Sequence, residues 1–195
     1  MNILVTGGVG YIGGFMVTEL LDKGYAVVVL DSLERSKREQ LDSRAIFAEG
    51  SLLDSGFVKQ VFTDHSFDAV VHFAGYISVP ESVEKPELYF SHNVTATLVL
   101  LDQMVQSGVN KIIFSSSAAV YGNPTQVTIP EDHAKSPESP YGESKLMVER
   151  IIQWYGKAHK LRSVALRYFN AAGAALDGSR GEAHTIEGHI IPLAI

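Results

Sequence analysis

Between an apolar stretch, Asn2 to Thr6, and a segment of helical period that begins at Tyr11, the chain places Gly7, Gly8, Gly10 and Gly13. No other feature restricts the fold as strongly. A turn that passes from strand to helix in so few residues needs backbone free to take positive φ and to approach its neighbours closely, which glycine supplies. Gly8, Gly10 and Gly13 satisfy G-x-G-x-x-G, while Phe15, Met16, Leu20 and Leu21 give the next segment one apolar face. Strand, tight turn and helix in that order open a βαβ unit, and the helix start aims unpartnered N–H groups at whatever lies over the turn.

The same alternation continues along the chain. Strands are predicted at Asn2 to Thr6, Ala26 to Asp31, Ala45 to Ala48, Ala69 to Phe73, Lys111 to Ser115 and Ser163 to Phe169. Helices are predicted at Tyr11 to Lys23, Ser55 to Thr63, Pro86 to Ser107 and Tyr141 to Lys157, with Gly24 and Gly108 where C-terminal caps belong. Several strands are almost wholly apolar, as strands covered on both sides should be. The expected class is therefore α/β, a doubly wound Rossmann-type parallel sheet with helices on both faces. From Gly122 to Pro140 periodicity stops and four prolines enter, which reads as a long loop bordering an active site. Regularity fades again after Gly173, and the sequence ends within the apolar run Ile190 to Ile195. The expected division is a dinucleotide-binding domain over residues 1–175 and the start of a truncated substrate-binding region over 176–195.

Composition narrows the chemistry. With 46% hydrophobic residues in 195, the chain carries enough apolar side chains for a sizeable core, so disorder is excluded. A net charge of −6 argues against nucleic acid and anionic membrane as partners. The absence of cysteine removes thiol chemistry and thiolate metal sites, and Glu182, His184, Glu187 and His189 match no zinc spacing, so no metal is expected. The start of the sequence shows no basic leader and no apolar run long enough to span a bilayer, so a cytoplasmic location is expected. Asn93-Val94-Thr95, a formal glycosylation acceptor, then has no role as one.

Asp31 stands 18 residues beyond Gly13, at the end of the second predicted strand. A carboxylate there accepts hydrogen bonds from ribose hydroxyls and repels a 2′-phosphate, which favours NAD over NADP. Tyr141 and Lys145 are spaced i, i+4 at a helix start behind Ser139 and Pro140, and so share a face. An ammonium beside a phenol favours phenolate, a base usable near neutral pH. Ser115 ends, and Ser116 and Ser117 follow, a predicted strand whose C-terminal end faces the crevice of an open sheet, where a hydroxyl can hold a substrate hydroxyl.

With these segments in this order, the chain resembles the extended short-chain dehydrogenases/reductases and, more narrowly, is similar to the UDP-glucose 4-epimerases. The resemblance runs the length of the chain through Val5 to Gly13, His72-Phe73-Ala74-Gly75, Pro80-Glu81-Ser82-Val83, Ser139 to Lys145 and Arg167 to Gly173. It implies NAD-dependent 4-epimerisation of a UDP-hexose through a transient 4-keto sugar, with Tyr141 as base, Ser117 holding the 4-hydroxyl and Lys145 lowering the Tyr141 pKa. It places Gly7, Gly10, Tyr11, Ile12, Gly13, Asp31, Phe73, Ala74, Gly75, Asn93, Ser115, Tyr141, Lys145 and Tyr168 at the cofactor. Ser117, Tyr141, Asn170 and His189 would meet the substrate. A homodimer is implied, with the helices through Asn93 and through Trp154 between subunits, although Ile151, Ile152 and Trp154 read from their spacing as packing residues.

The serine segment separates the epimerases from the related 4,6-dehydratases, which need an acid and a base where this chain has Ala118 and Ala119. Ser51 replaces an aspartate that many relatives carry near adenine, and Ile77 a lysine near the cofactor, so altered NAD affinity is expected. Two alternatives stay open: a non-catalytic NAD-binding truncated module, and an epimerase for another nucleotide sugar such as UDP-glucuronate.

Overall fold

The computed structural model describes residues 1–126 and 128–182. Its strands are β1 (Asn2–Thr6), β2 (Ala26–Asp31), β3 (Ile46–Glu49), β4 (Ala69–His72), β5 (Lys111–Ser117) and β6 (Arg162–Tyr168). They form one sheet in the order β3-β2-β1-β4-β5-β6, every neighbouring pair parallel. The chain builds outward from β1 to β3 and then returns to the other side of β1 at β4. The strand order therefore reverses between β1 and β4, and a crevice opens beyond their C-terminal ends.

Period two decides which side chain goes to which face. Leu4, Val28, Leu30, Val70, Ile112 and Phe114 pack against α2 (Ser55–Asp64), α5 (Ala96–Gln106) and α6 (Pro140–His159). Ile3, Val5, Val27, Val29 and Val71 pack on the other side against Val17, Met16 and Leu20 of α1 (Tyr11–Asp22). Both faces of the central strands are covered, which is why β1, β2 and β4 read as unbroken apolar runs, whereas β6 at the edge has no buried residue. Asp54 caps α2 by accepting from the Phe57 N–H at 3.0 Å, and Ser139 caps α6 by accepting from the Gly142 N–H at 3.1 Å.

Three details differ from expectation. β5 runs on to Ser117 because Ser116 and Ser117 pair with Arg167 and Tyr168 of β6. The single helix expected over 86–107 is instead α4 (Pro86–Tyr89), a π turn (Phe90–Thr95) and α5, with an additional α3 (Val79–Glu84) capped by Ser78 ahead of it. Trp154 is not a packing residue: it is 66% exposed, and Lys157 Nζ lies 4.2 Å from its ring centroid. The inner face of α6 belongs to Leu146, Glu149 and Ile152, at spacings of three, and position 154 falls off that stripe. No described helix is long and apolar enough to cross a membrane.

One charged pair sits inside this packing. Glu149 of α6 accepts from Arg167 Nε at 2.9 Å and Nη2 at 2.7 Å, and from the Ser116 hydroxyl at 2.6 Å. Burial alone would raise the Glu149 carboxyl, but the Arg167 and Ser116 hydrogen bonds outweigh it and hold the group below its ordinary value. Arg167→Ala leaves that carboxylate buried without its counter-charge and is expected to lose about 3 kcal/mol in urea unfolding, whereas Glu149→Leu with Arg167→Met recovers most of it.

Candidate active site

The glycine turn is built by exclusion. Gly7 has φ +68° and donates its N–H to Leu30 O at 2.9 Å. A β carbon there would fall 2.5 Å from the Ala74 nitrogen, and one at Gly13 would strike the Gly7 carbonyl oxygen. Gly10 differs, because its β carbon would meet only Gly7 O, at 3.3 Å. The chain itself therefore requires Gly7 and Gly13, while Gly10 keeps the outer side of the turn open to an approaching group. No side chain caps the start of α1, whose N-cap is Gly10, and its first turn holds no acidic residue. Tyr11, Ile12 and Gly13 thus present first-turn amides, a setting that suits an anion such as pyrophosphate.

Asp31 ends β2 beside this turn. Its Oδ1 accepts from the Leu33 N–H at 2.9 Å and the Ser36 hydroxyl at 3.0 Å, and its Oδ2 from the Val9 N–H at 3.1 Å. Oδ2 keeps a lone pair, so the carboxylate can still accept one ribose hydroxyl while it braces the glycine turn.

Across the crevice, Lys145 is 3% exposed and donates from Nζ to the Ser115 carbonyl at 2.9 Å. Burial pushes its ammonium down to about 8. Nζ lies 5.8 Å from the Tyr141 ring centroid. The Tyr141 phenol is itself pushed up, because burial outweighs the lowering hydrogen bond with the Ser117 side chain. Desolvation of the phenol is thus the larger of the two influences on its proton affinity here. Ser117 caps the short turn at Ala118–Tyr121, its Oγ accepting from the Ala119 N–H at 3.1 Å, and Tyr168 is its register partner on β6. Gly75 completes the group, since a β carbon there would stand 2.9 Å from Asn93 Oδ1 and 3.6 Å from Lys145 Nζ.

The glycine turn stands at the β1 end and the Tyr141, Lys145 and Ser117 group at the β5 end, on either side of β4. Residues 3–195 match the NAD dependent epimerase/dehydratase family. The chain belongs to that family. It is 49% identical to the UDP-glucose 4-epimerase of Lacticaseibacillus casei over 100% of its own length, and 47% identical to that of Lactobacillus helveticus over 98%. Among solved structures it is similar to UDP-glucose 4-epimerase from Brucella ovis in complex with NAD, with a TM-score of 0.96, 42% identity and 99% of this chain covered. The Bifidobacterium longum UDP-glucose 4-epimerase in complex with NAD+ and UDP gives a TM-score of 0.91 and 39% identity, with 95% of this chain covered. The chain spans 58% to 59% of the length of these four relatives.

Within this epimerase/dehydratase chain, some expected residues take other parts. Asn93 does not point an amide into the crevice: it is 3% exposed, and its side chain is consumed by the Tyr76 N–H at 2.7 Å, the Tyr76 carbonyl at 3.1 Å and Ser144 Oγ at 3.0 Å. It shapes the segment after β4 rather than presenting a free donor. The Phe73 and Ala74 N–H groups both donate to Thr6 O, at 2.9 and 3.1 Å, which fixes the end of β4 to the end of β1. Tyr11 sends its hydroxyl to the Gly173 carbonyl at 2.6 Å, and its ring meets Phe15 edge-on. Asn170 is exposed beyond β6, and His189, like His184 and Glu187, lies outside the described residues. Sequence reasoning passed over Ser144, which donates to Tyr141 O at 2.7 Å; its place between Tyr141 and Lys145 was the available signal.

The buried lysine makes stability depend on pH. Lys145 releases its proton near pH 8 in the fold and near 10.5 when unfolded, so between those values the unfolded chain holds the extra proton. Its contribution to stability therefore rises with pH across that window. Urea unfolding at intervals from pH 7 to 10.5 is expected to show this rise in the wild type relative to Lys145→Met, which lacks the group.

Proposed function

We propose that this chain binds NAD across the β1–β4 crevice and, joined to a complete substrate site, interconverts the 4-hydroxyl configuration of a UDP-hexose, UDP-glucose and UDP-galactose being the pair. The observation that carries the reading is the Lys145, Tyr141 and Ser117 group at the end of β5 in a member of this family. The open face of Gly10, the uncapped start of α1 and the spare lone pair of Asp31 fit a dinucleotide. On this reading the cofactor contacts come from Gly7, Gly10, Tyr11, Ile12, Gly13, Asp31, Phe73, Ala74, Gly75, Ser115, Lys145 and Tyr168, with Asn93 acting through the Tyr76 backbone. When bound, NAD supplies a reversible hydride acceptor for C4 of the sugar.

The chain's own part is proton handling and placement. Tyr141 Oη takes the 4-hydroxyl proton and returns it after the 4-keto sugar has turned over in the pocket, while Ser117 Oγ holds that oxygen. Because burial raises the phenol, its ionised form depends on a nearby positive charge, and the Lys145 ammonium meets that need below about pH 8. Ala118 and Ala119, on the turn after Ser117, offer no acid or base to expel water, which favours epimerisation over dehydration. Asn170 and His189 are assigned to the nucleotide-sugar side. A homodimer through α5 and α6, where Trp154 is exposed, and a cytoplasmic location complete the proposal.

The division at about residue 175 belongs to the same reading: β6 ends at Tyr168, and no helix or strand follows among the described residues. A chain spanning 59% of a relative's length supports a second reading, a cofactor-binding portion that binds NAD without turning over sugar. Incubation with UDP-galactose, with and without NAD, separates the two. Conversion to UDP-glucose that falls by about 10²- to 10⁴-fold in Tyr141→Phe supports the epimerase, whereas NAD binding with no conversion supports the second reading.

A further inference from the structure

His72, the last residue of β4, is 1% exposed and stacks on Phe114 with ring centroids 5.8 Å apart. Its Nδ1 lies 2.6 Å from Thr6 Oγ1 and its Nε2 lies 2.8 Å from Thr97 Oγ1. Thr97 gives its hydroxyl proton to the Asn93 carbonyl at 2.6 Å, so toward the ring it can only accept. Nε2 therefore carries the imidazole proton, and Nδ1 accepts from the Thr6 hydroxyl. From Asn93 the bonds continue to both backbone groups of Tyr76 and to Ser144, and Ser144 donates to the carbonyl of Tyr141. One uninterrupted path thus joins the residue before the glycine turn, the end of β4, the π turn and the first turn of α6.

We propose that His72 is a positioning residue: its neutral, Nε2-protonated imidazole locks the π turn bearing Asn93, and through it sets the Tyr141–Lys145 turn of α6 against the glycine turn. The opposite tautomer would bring two lone pairs together at Thr97 and break the path at its centre. Protonation is opposed by burial and by the Lys145 ammonium, which together lower the ring to about 3. Lys145 is the charged group that acts on this ring, and the remaining partners are Thr6, Thr97 and Phe114.

Two amide substitutions divide the ring's functions. His72→Gln places an amide donor near the Nε2 position and keeps the bond to Thr97, whereas His72→Asn places an acceptor near Nδ1 and keeps only the bond to Thr6. Both lose the same stacking on Phe114. The Tyr76 amide, held by Asn93, is expected to exchange with solvent about tenfold faster in His72→Asn than in His72→Gln, after scaling to the slowest amides of β1. Thr97→Val should match His72→Asn.

Imidazole 15N spectra of the wild type should show a His72 ring protonated at Nε2 and unchanged from pH 5 to 8. Equal Tyr76 exchange in the two His72 variants, an Nδ1-protonated ring, or titration of the ring in that range would each overturn the proposal. If the His72 variants do not fold, the wild-type spectra and Thr97→Val decide it. The inference rests on the proposed function only in naming Tyr141 and Lys145 as the reacting pair. None of these measurements needs NAD or sugar, so its failure is distinguishable from failure of the epimerase reading.

Discussion

Everything in this fold that bears on chemistry hangs on a contact of backbone against backbone. The turn at Gly7 lies so near Ala74 that no side-chain atom fits between them, and the Thr6 carbonyl takes both the Phe73 and Ala74 amides. The glycine-turn side of the crevice is thereby welded to the strand that runs between it and the Tyr141–Lys145 side. Side chains hop between rotamers, but two hydrogen-bonded main chains in van der Waals contact hold a spacing tightly. A cofactor that spans both sides meets a gauge already set by the sheet.

The second constraint is electrostatic. Placing a lysine at the inner end of the crevice with a carbonyl as its hydrogen-bond partner keeps its charge costly and therefore responsive. A phenol raised by the same burial stands within reach of that charge. Burial leaves each group poorly suited to ionise alone. By contrast, the buried Glu149 is matched to Arg167 by two hydrogen bonds, and the pair fastens α6 to β6.

The sheet was legible because burial on both faces writes itself as apolar runs, and β1, β2 and the order of elements follow from that pattern alone. The glycine turn was legible for the same reason: steric exclusion leaves few residue types. What escaped was set by pairing across the fold. Ser116 and Ser117 look like loop residues until Arg167 and Tyr168 lie alongside them. The π turn leaves no mark in hydrophobic spacing, since it inserts one residue into a pattern that still averages as helix. Asn93 was expected at the cofactor from its motif; the bonds its side chain makes could not be read there, because they depend on Tyr76 and Ser144 arriving from elsewhere in the chain. Trp154 shows the limit of reading an aromatic residue as core from its type.

Gly122, with φ +65°, opens the long loop that follows the Ser117 turn, and a β carbon there would collide with the Ser136 carbonyl. The loop's two ends are thus pressed together, and Arg167 pins its middle through the Glu131 carbonyl at 2.8 Å and the Tyr121 hydroxyl at 2.6 Å. A loop closed at its base transmits little of its own variation to the framework that bears it. The segment between Asn123 and Lys135 is in this sense a cartridge. Changes in its length and chemistry are confined between fixed anchors at Gly122, Glu131 and Ser136.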